Sequence, residues 1–172
     1  IRVRSSPMRL GDIANAEALA AGKPLDGIRI LALEQMQALP FATQMLGRLG
    51  AEVVKVESPK GGDMGRSSLP AMTDPDGRQI GATFLRNNLS KQSICIDLKS
   101  DEGRGLVLDL APRFDVVAEN FKAGGLARLG LGYGDVAAVH PQVIYLSVSG
   151  FGNTTDSPYK DRPAFAAIVE AM

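Results

Sequence analysis

Cysteine and histidine each occur only once among the 172 residues, and those two scarcities remove whole classes of chemistry. A single thiol, Cys95, cannot form an internal disulfide framework or a cysteine-based zinc site. It lies in an apolar run, so it is expected to be a small buried thiol in a strand rather than a nucleophile. With one histidine, His140, and no G-x-S-x-G elbow, there is neither a serine-hydrolase triad nor a metal-ligand cluster. His140 precedes Pro141 and is expected to serve a turn or cap. Excess charge is lacking too. Nineteen Lys and Arg face nineteen Asp and Glu, so no global field draws the chain to nucleic acid or to an anionic membrane. No apolar run approaches membrane-spanning length and no signal-peptide layout is visible, which makes the cytoplasm the expected compartment.

What the chain does contain is a repeated strand and helix unit. Residues 28–33 are short, apolar and branched, as expected of a strand covered on both faces. Pro40 suits the first turn of a following helix and Gly50 the position just past its end. Between them Phe41, Ala42, Met45, Leu46 and Leu49 are expected to form the face packed on a sheet. Residues 52–57 then read as a second strand, parallel to the first because a helical crossover joins them. Residues 93–98, 115–119 and 143–149 read as three more strands. A helix capped by Ser100 and carrying Leu106, Val107, Leu110 and Ala111 on its buried stripe is expected after the third, and a short helix over 133–139 before the fifth. Residues 24–27 read as a turn and 58–79 as a long loop. Residues 1–23 form an N-terminal extension with one short helix over 13–21, docked by Ile13, Ala16 and Leu19. The fold class is therefore α/β, a Rossmann-like open parallel sheet with helices on both faces, over residues 24–172.

In such sheets ligands lie outside the carboxyl ends of the strands, which puts the loop 34–39 at the site. That loop has no G-x-G-x-x-G, so a nicotinamide or flavin reading is weak. Two adjacent glycines, Gly124 and Gly125, follow the fourth strand, beside Phe121 and Lys122, an aromatic and a cation suited to a purine and a phosphate. Arg66, in the long loop, has two readings: an anion contact, or a loop ion pair with Asp63.

The stretches LALEQMQALPFATQMLGRLGAEVVKVESPKGGDMGR, RNNLSKQSICIDLKSDEGR, DVVAENFKAGGLARLGLGY, HPQVIYLSVSGFG and YKDRPAF occur in one order. That order and spacing resemble the class III CoA-transferases, the family of formyl-CoA transferase, carnitine CoA-transferase and the divergent α-methylacyl-CoA racemase. The resemblance runs from about Pro24 to the end and covers the N-terminal part of that family's large domain. It implies coenzyme A as substrate and carrier, an acyl-CoA and a small carboxylic acid as partners, and no metal. It implies CoA contacts at Gln37, Ala38, Ile96, Lys99, Asn120, Phe121, Arg128 and Leu129. Leu89 stands where the family commonly has arginine, while Lys91 is kept. The family nucleophile is an aspartate located beyond the point matching Met172, so no catalytic residue is expected in this chain. The racemase branch carries a His-Asp pair where this chain has Phe165 and Ala166, which favours the transferase. Family members are more than twice this length and form interlocked homodimers. A start at Ile1 and an end inside AFAAIVEAM lead to the expectation of a fragment. Two rivals stay open: a CoA-binding pseudoenzyme module, and an inert truncation that self-associates.

Overall fold

The computed structural model describes residues 20–154, 156–160, 162 and 164. The docking residues Ile13, Ala16 and Leu19, and the pair Phe165 and Ala166, lie outside the described residues. Five parallel strands form the sheet: β1 (Arg29–Leu33), β2 (Glu52–Glu57), β5 (Gln92–Cys95), β6 (Val116–Glu119) and β7 (Ile144–Ser147). Their order across the sheet is β5-β2-β1-β6-β7. β1 sits at the centre, and its last four residues are fully buried. Side chains alternate along a strand, so β1 feeds two cores. Ile30 and Ala32 join Leu39, Ala51, Val53 and Ala118 under helix α1 (Ala38–Arg48). Leu31 and Leu33 join Val107, Ala111, Phe114 and Val136 under helices α3 (Asp101–Leu110) and α4 (Tyr133–Val139). Helices thus cover both faces, the expected architecture.

The α1 stripe differs from expectation. Phe41 and Met45 are 55% and 41% exposed and Leu49 is exposed too, whereas Leu39, Pro40, Thr43 and Gln44 are buried. Only Ala42 and Leu46 of the expected set pack on the core. The helix is rotated because two polar residues find partners inside. Thr43 Oγ1 donates to Glu34 at 2.7 Å, and Gln44 Oε1 accepts the Leu89 amide at 2.8 Å. A buried polar group with a partner is no longer costly, and hydrophobic period alone cannot foresee that.

Other departures are local. The loop over 58–79 holds a 3-10 turn (Met64–Ser67), and a two-stranded antiparallel hairpin, β3 (Ala71–Thr73) with β4 (Gln79–Gly81), ends just past it. Strands of three residues are too short to show a period. A further helix, α2 (Ala82–Asn87), follows the hairpin. β5 begins at Gln92 and ends at Cys95, and the cysteine is exposed, not buried, because β5 is an edge strand paired only to β2. Ile96 follows it into the core. On α3, Leu106 is 47% exposed. Gly103, Val107 and Ala111, spaced by four, are the buried residues, and the expected Leu110 packs beside them partly buried, as does Leu108. Gly103 lies so close to the Asp97 carbonyl that a Cβ would overlap it, while Gly105 faces open space. The Ser100 cap is as expected, its hydroxyl accepting from the Gly103 amide at 3.0 Å. His140 ends α4, and its Nε2 lies 3.1 Å from the Phe114 carbonyl oxygen, a structural role.

These two glycines give opposite expectations in one helix. Gly103→Ala forces the start of α3 away from the Asp97 carbonyl and lowers unfolding free energy by about 1–3 kcal/mol. Gly105→Ala raises it by about 0.5–1 kcal/mol through helix propensity. Urea unfolding followed by circular dichroism measures both.

Candidate functional site

The connection after β1 runs to β2 on one side, while β6 pairs β1 on the other, so the loops leaving β1 and β6 diverge at their carboxyl ends. A crevice forms at such a reversal. The Asn120 side chain straddles it like a short stretch of strand: the Gln35 amide donates to Asn120 Oδ1 at 2.8 Å, and Asn120 Nδ2 donates back to the Gln35 carbonyl at 2.9 Å. Next in the chain, Met36 has a left-handed backbone with φ of 66°, a conformation that side chains with a Cβ rarely adopt. Its amide donates to both Asp63 oxygens, at 3.1 and 3.2 Å, and its carbonyl accepts from Asn87 at 3.4 Å.

Asp63 belongs to a buried ionic network. Lys55, only 1% exposed, reaches it at 2.6 Å and lies 3.6 Å from Glu34. Lys91 reaches Glu34 at 2.6 Å and also donates to the Pro40 carbonyl and Asn88. Desolvation, only partly offset by Glu34, lowers the Lys91 ammonium to about 8. Glu57 accepts Arg66 through both oxygens, at 2.6 and 2.8 Å, along with the Ser93 hydroxyl at 2.6 Å and the Asp63 amide at 2.9 Å. Burial alone would raise the Glu57 carboxyl; the hydrogen bonds from Arg66, Ser93 and the Asp63 amide bring it down to about 2 instead. Arg66 also lies over the Phe84 ring, 3.7 Å from its centroid. Arg66 is therefore an ion-pair residue, with Glu57 rather than Asp63 as its partner.

Over this base lies a cavity of about 770 Å³. Gln35, Met36, Gln37 and Ala38 line it from the first loop, residues 120–123 from the β6 exit and residues 148–151 from the β7 exit; Met64, Lys160, Arg162 and Ala164 complete it. Its lining carries three cations, Lys122, Lys160 and Arg162, and no carboxylate among the described residues. Apolar and aromatic surface comes from Met36, Met64, Phe121, Val148 and Phe151. Of the eight residues expected at the site, Gln37, Ala38, Asn120 and Phe121 are brought together here. The other four are elsewhere. Ile96 is core, Lys99 is exposed before α3, Leu129 packs on the core, and Arg128 is exposed with its guanidinium close to Gly124. Met36, Met64, Ser149, Lys160 and Arg162 were not foreseen. One signal was available for Ser149, which follows Ser147 by two and so shares its face.

An open parallel sheet covered by helices on both faces, with a cavity at its reversal point, defines an open-sheet α/β domain. The sequence matches CoA-transferase family III over residues 25–172, and the chain belongs to that family. It is 44% identical over 151 residues to the succinate–glutarate CoA-transferase of Agrobacterium fabrum, covering 87% of this chain and 37% of that one. It is 43% identical over 150 residues to the succinyl-CoA:glutarate CoA-transferase of Mus musculus, covering 87% and 33%. A solved CAIB/BAIF family protein from Brucella suis superposes with a TM-score of 0.79 at 41% identity, covering 87% of this chain and 39% of that one. The chain thus spans little more than a third of the length of these relatives.

The Glu57 cluster predicts an acid response. With a folded value of about 2 against an ordinary 4.5, its stabilisation is complete above pH 4.5 and is lost as pH falls through 2. Glu57→Gln is expected to cost about 2 kcal/mol at pH 7 and to flatten the decline between pH 5 and 2. Urea unfolding at pH 7, 4 and 3 for both proteins checks the difference.

Proposed function

We propose that residues 24–172 are the CoA-binding domain, with residues 1–23 as an extension, of a class III CoA-transferase that moves CoA from an acyl-CoA donor to a carboxylic acid acceptor. The observation that carries this reading is the cavity at the β1/β6 reversal, lined by three cations and no described acid. CoA offers phosphates for the cations, a purine for an aromatic such as Phe121, and a pantetheine arm for apolar lining. Gln37, Ala38, Asn120 and Phe121 are the residues nearest to that role. Ile96, Lys99, Arg128 and Leu129 would be reached only by the part of CoA that extends beyond the cavity.

The chemistry proposed for the whole protein is covalent. An aspartate carboxylate attacks the donor thioester carbonyl, forming a mixed anhydride as CoA thiolate leaves; the thiolate then attacks the aspartyl carbonyl, expelling the donor's carboxylate and leaving an enzyme-bound CoA thioester, and the acceptor carboxylate takes up CoA through a second anhydride that frees the aspartate. That aspartate is proposed to lie outside this chain. The chain alone is accordingly expected to bind without turnover, as the CoA-binding module reading also requires. A cytoplasmic homodimer is the proposed state of the whole protein, and the exposed Phe41, Met45 and Leu49 row on α1 is apolar surface suited to a subunit contact. No described helix is long and apolar enough to cross a membrane. Racemase chemistry is disfavoured because the His140 ring is held at the Phe114 carbonyl, away from the cavity lining.

Calorimetric titration of the 172-residue chain with CoA and, separately, NAD tests the reading. CoA is expected to bind and NAD not to. Lys160→Ala is expected to weaken CoA about tenfold, the worth of one charge-assisted contact, and the loss should shrink at high salt. Arg128→Ala reports whether the ligand extends to that corner. Preference for NAD, or no CoA binding by a folded sample, overturns the assignment.

A further inference from the structure

Glu119 ends β6 with 6% of its surface exposed, and none of the ion pairs among the described residues includes it. A buried carboxylate without a cation beside it is unfavourable unless hydrogen bonds to the ionised form hold it. Glu119 has two. The Phe121 amide donates to Oε2 at 2.7 Å, and the Ser147 hydroxyl donates to Oε1 from the residue paired with Glu119 on β7. Ser147 Oγ in turn accepts from Asn153 Nδ2 at 2.6 Å. Every bond of this chain points toward the carboxylate.

The two ends of the chain are the two loops that wall the cavity. Phe121 lines it from the β6 exit, and Phe151, two residues before Asn153, lines it from the β7 exit. Phe151 also packs on Tyr159, with ring centroids 5.7 Å apart, and the cavity-lining Lys160 comes next in the chain. Glu119 itself is not part of the lining, so whatever it does for the cavity it does through these loops.

We infer that Glu119 is a positioning residue: its ionised carboxylate sets the β6 and β7 exit loops in one arrangement, so that Phe121 and Phe151 meet a CoA ligand as a fixed pair. The inference rests on the CoA-transferase reading and adds the residue that orders two walls of the proposed site.

Protonation reverses one link. A backbone N–H can only donate, so Oε2 stays bare and the proton goes to Oε1. The acid then donates to Ser147 Oγ, the serine hydrogen loses its acceptor, and a charge-assisted bond becomes a neutral one. Burial pushes the Glu119 carboxyl above its ordinary 4.5 against the pull of its two hydrogen bonds, so the arrangement is lost as pH falls toward that value. Facing Glu119 from β7 is Tyr145, which burial, Glu119 and Asp135 of α4 all push up and keep neutral. β1 places Leu33 beside it, and its own exit loop carries Lys122.

The test titrates the chain, Glu119→Gln and Ser147→Ala with CoA between pH 7.5 and 4.5, where the Glu57 cluster stays intact. Glutamine has one acceptor and one donor end and so mimics the protonated acid. It is expected to bind CoA about tenfold more weakly than the parent at pH 7.5, the worth of one charge-assisted bond, and the gap is expected to narrow toward pH 4.5. Ser147→Ala, which lacks the link that protonation reverses, is expected to behave in the same way. Changes in the charge of CoA are common to all three proteins, so the ratio of affinities isolates Glu119. The chain has no tryptophan, so Phe151→Trp reports on the β7 loop without ligand. Its emission is expected to shift between pH 7.5 and 4.5, and to stay constant when Glu119→Gln is also present. Affinity ratios that stay near one or do not vary with pH, while the parent chain binds CoA, overturn this inference and leave the assignment of function standing. A tryptophan emission that shifts equally with and without Glu119→Gln overturns it as well. Should Glu119→Gln fail to fold, the Ser147→Ala ratio decides by the same criterion. No CoA binding by the folded parent chain overturns both.

Discussion

The Asp63 carboxylate, clamped between the Lys55 ammonium and the Met36 amide, is the contact on which the site depends. Lys55 is the unexpected member. It follows Val53 on the α1 side of the sheet, opposite Ala32, where the pattern calls for an apolar residue. Moving an ammonium there costs several kcal/mol even after relaxation, roughly, and is tolerated only with close partners. Asp63 and Glu34 supply them from the two segments that shape the cavity floor. The pair therefore acts as a tie between the β1 exit and the loop after β2, where an apolar pair of equal volume would fill the space without fixing a backbone amide.

That tie has a consequence for the first loop. With no glycine at position 36, the left-handed turn there has to be held from outside, and Asp63 holds it at the amide while Asn87 holds it at the carbonyl. Asn120 then fixes the residue before it from the opposite wall. Gln37 and Ala38 enter the cavity because the two preceding residues are pinned from both sides. Two short loops joined to different strands thus behave as one surface whose geometry is fixed in advance.

The elements that showed in the sequence were those whose signal is local. β2 and α4 have the expected bounds, since alternation and a short apolar helix between glycine and proline depend only on neighbours in the chain. The face of α1 was misread because Thr43 and Gln44 are bought in by partners at Glu34 and Leu89, nine and forty-five residues away. Cys95 was misread because nothing in an apolar run says that its strand will be the sheet's edge. At the site, loops 34–38 and 120–123 were legible as strand exits, whereas Lys160 and Arg162 were not, because tertiary packing of Gly150 on Ala164 and of Phe151 on Tyr159 brings their segment across.

The basic residues show the same limit most clearly. By sequence alone Arg66 and Lys91 suit an anion, Arg66 in the loop after β2 and Lys91 just before β5, each in a resembling motif. Each is instead consumed by an internal acid, Glu57 in one case and Glu34 in the other, and the acids in turn order the strands that carry them. Six charges, three of each sign, balance within the network formed by Glu34, Lys55, Glu57, Asp63, Arg66 and Lys91. Because that network is neutral as a whole, it contributes little net field to the cavity above it. The positive character there comes from Lys122, Lys160 and Arg162 on the walls. Network charge and cavity-lining charge are therefore carried by different residues of the same α/β domain, and a substitution in one set need not disturb the electrostatics of the other.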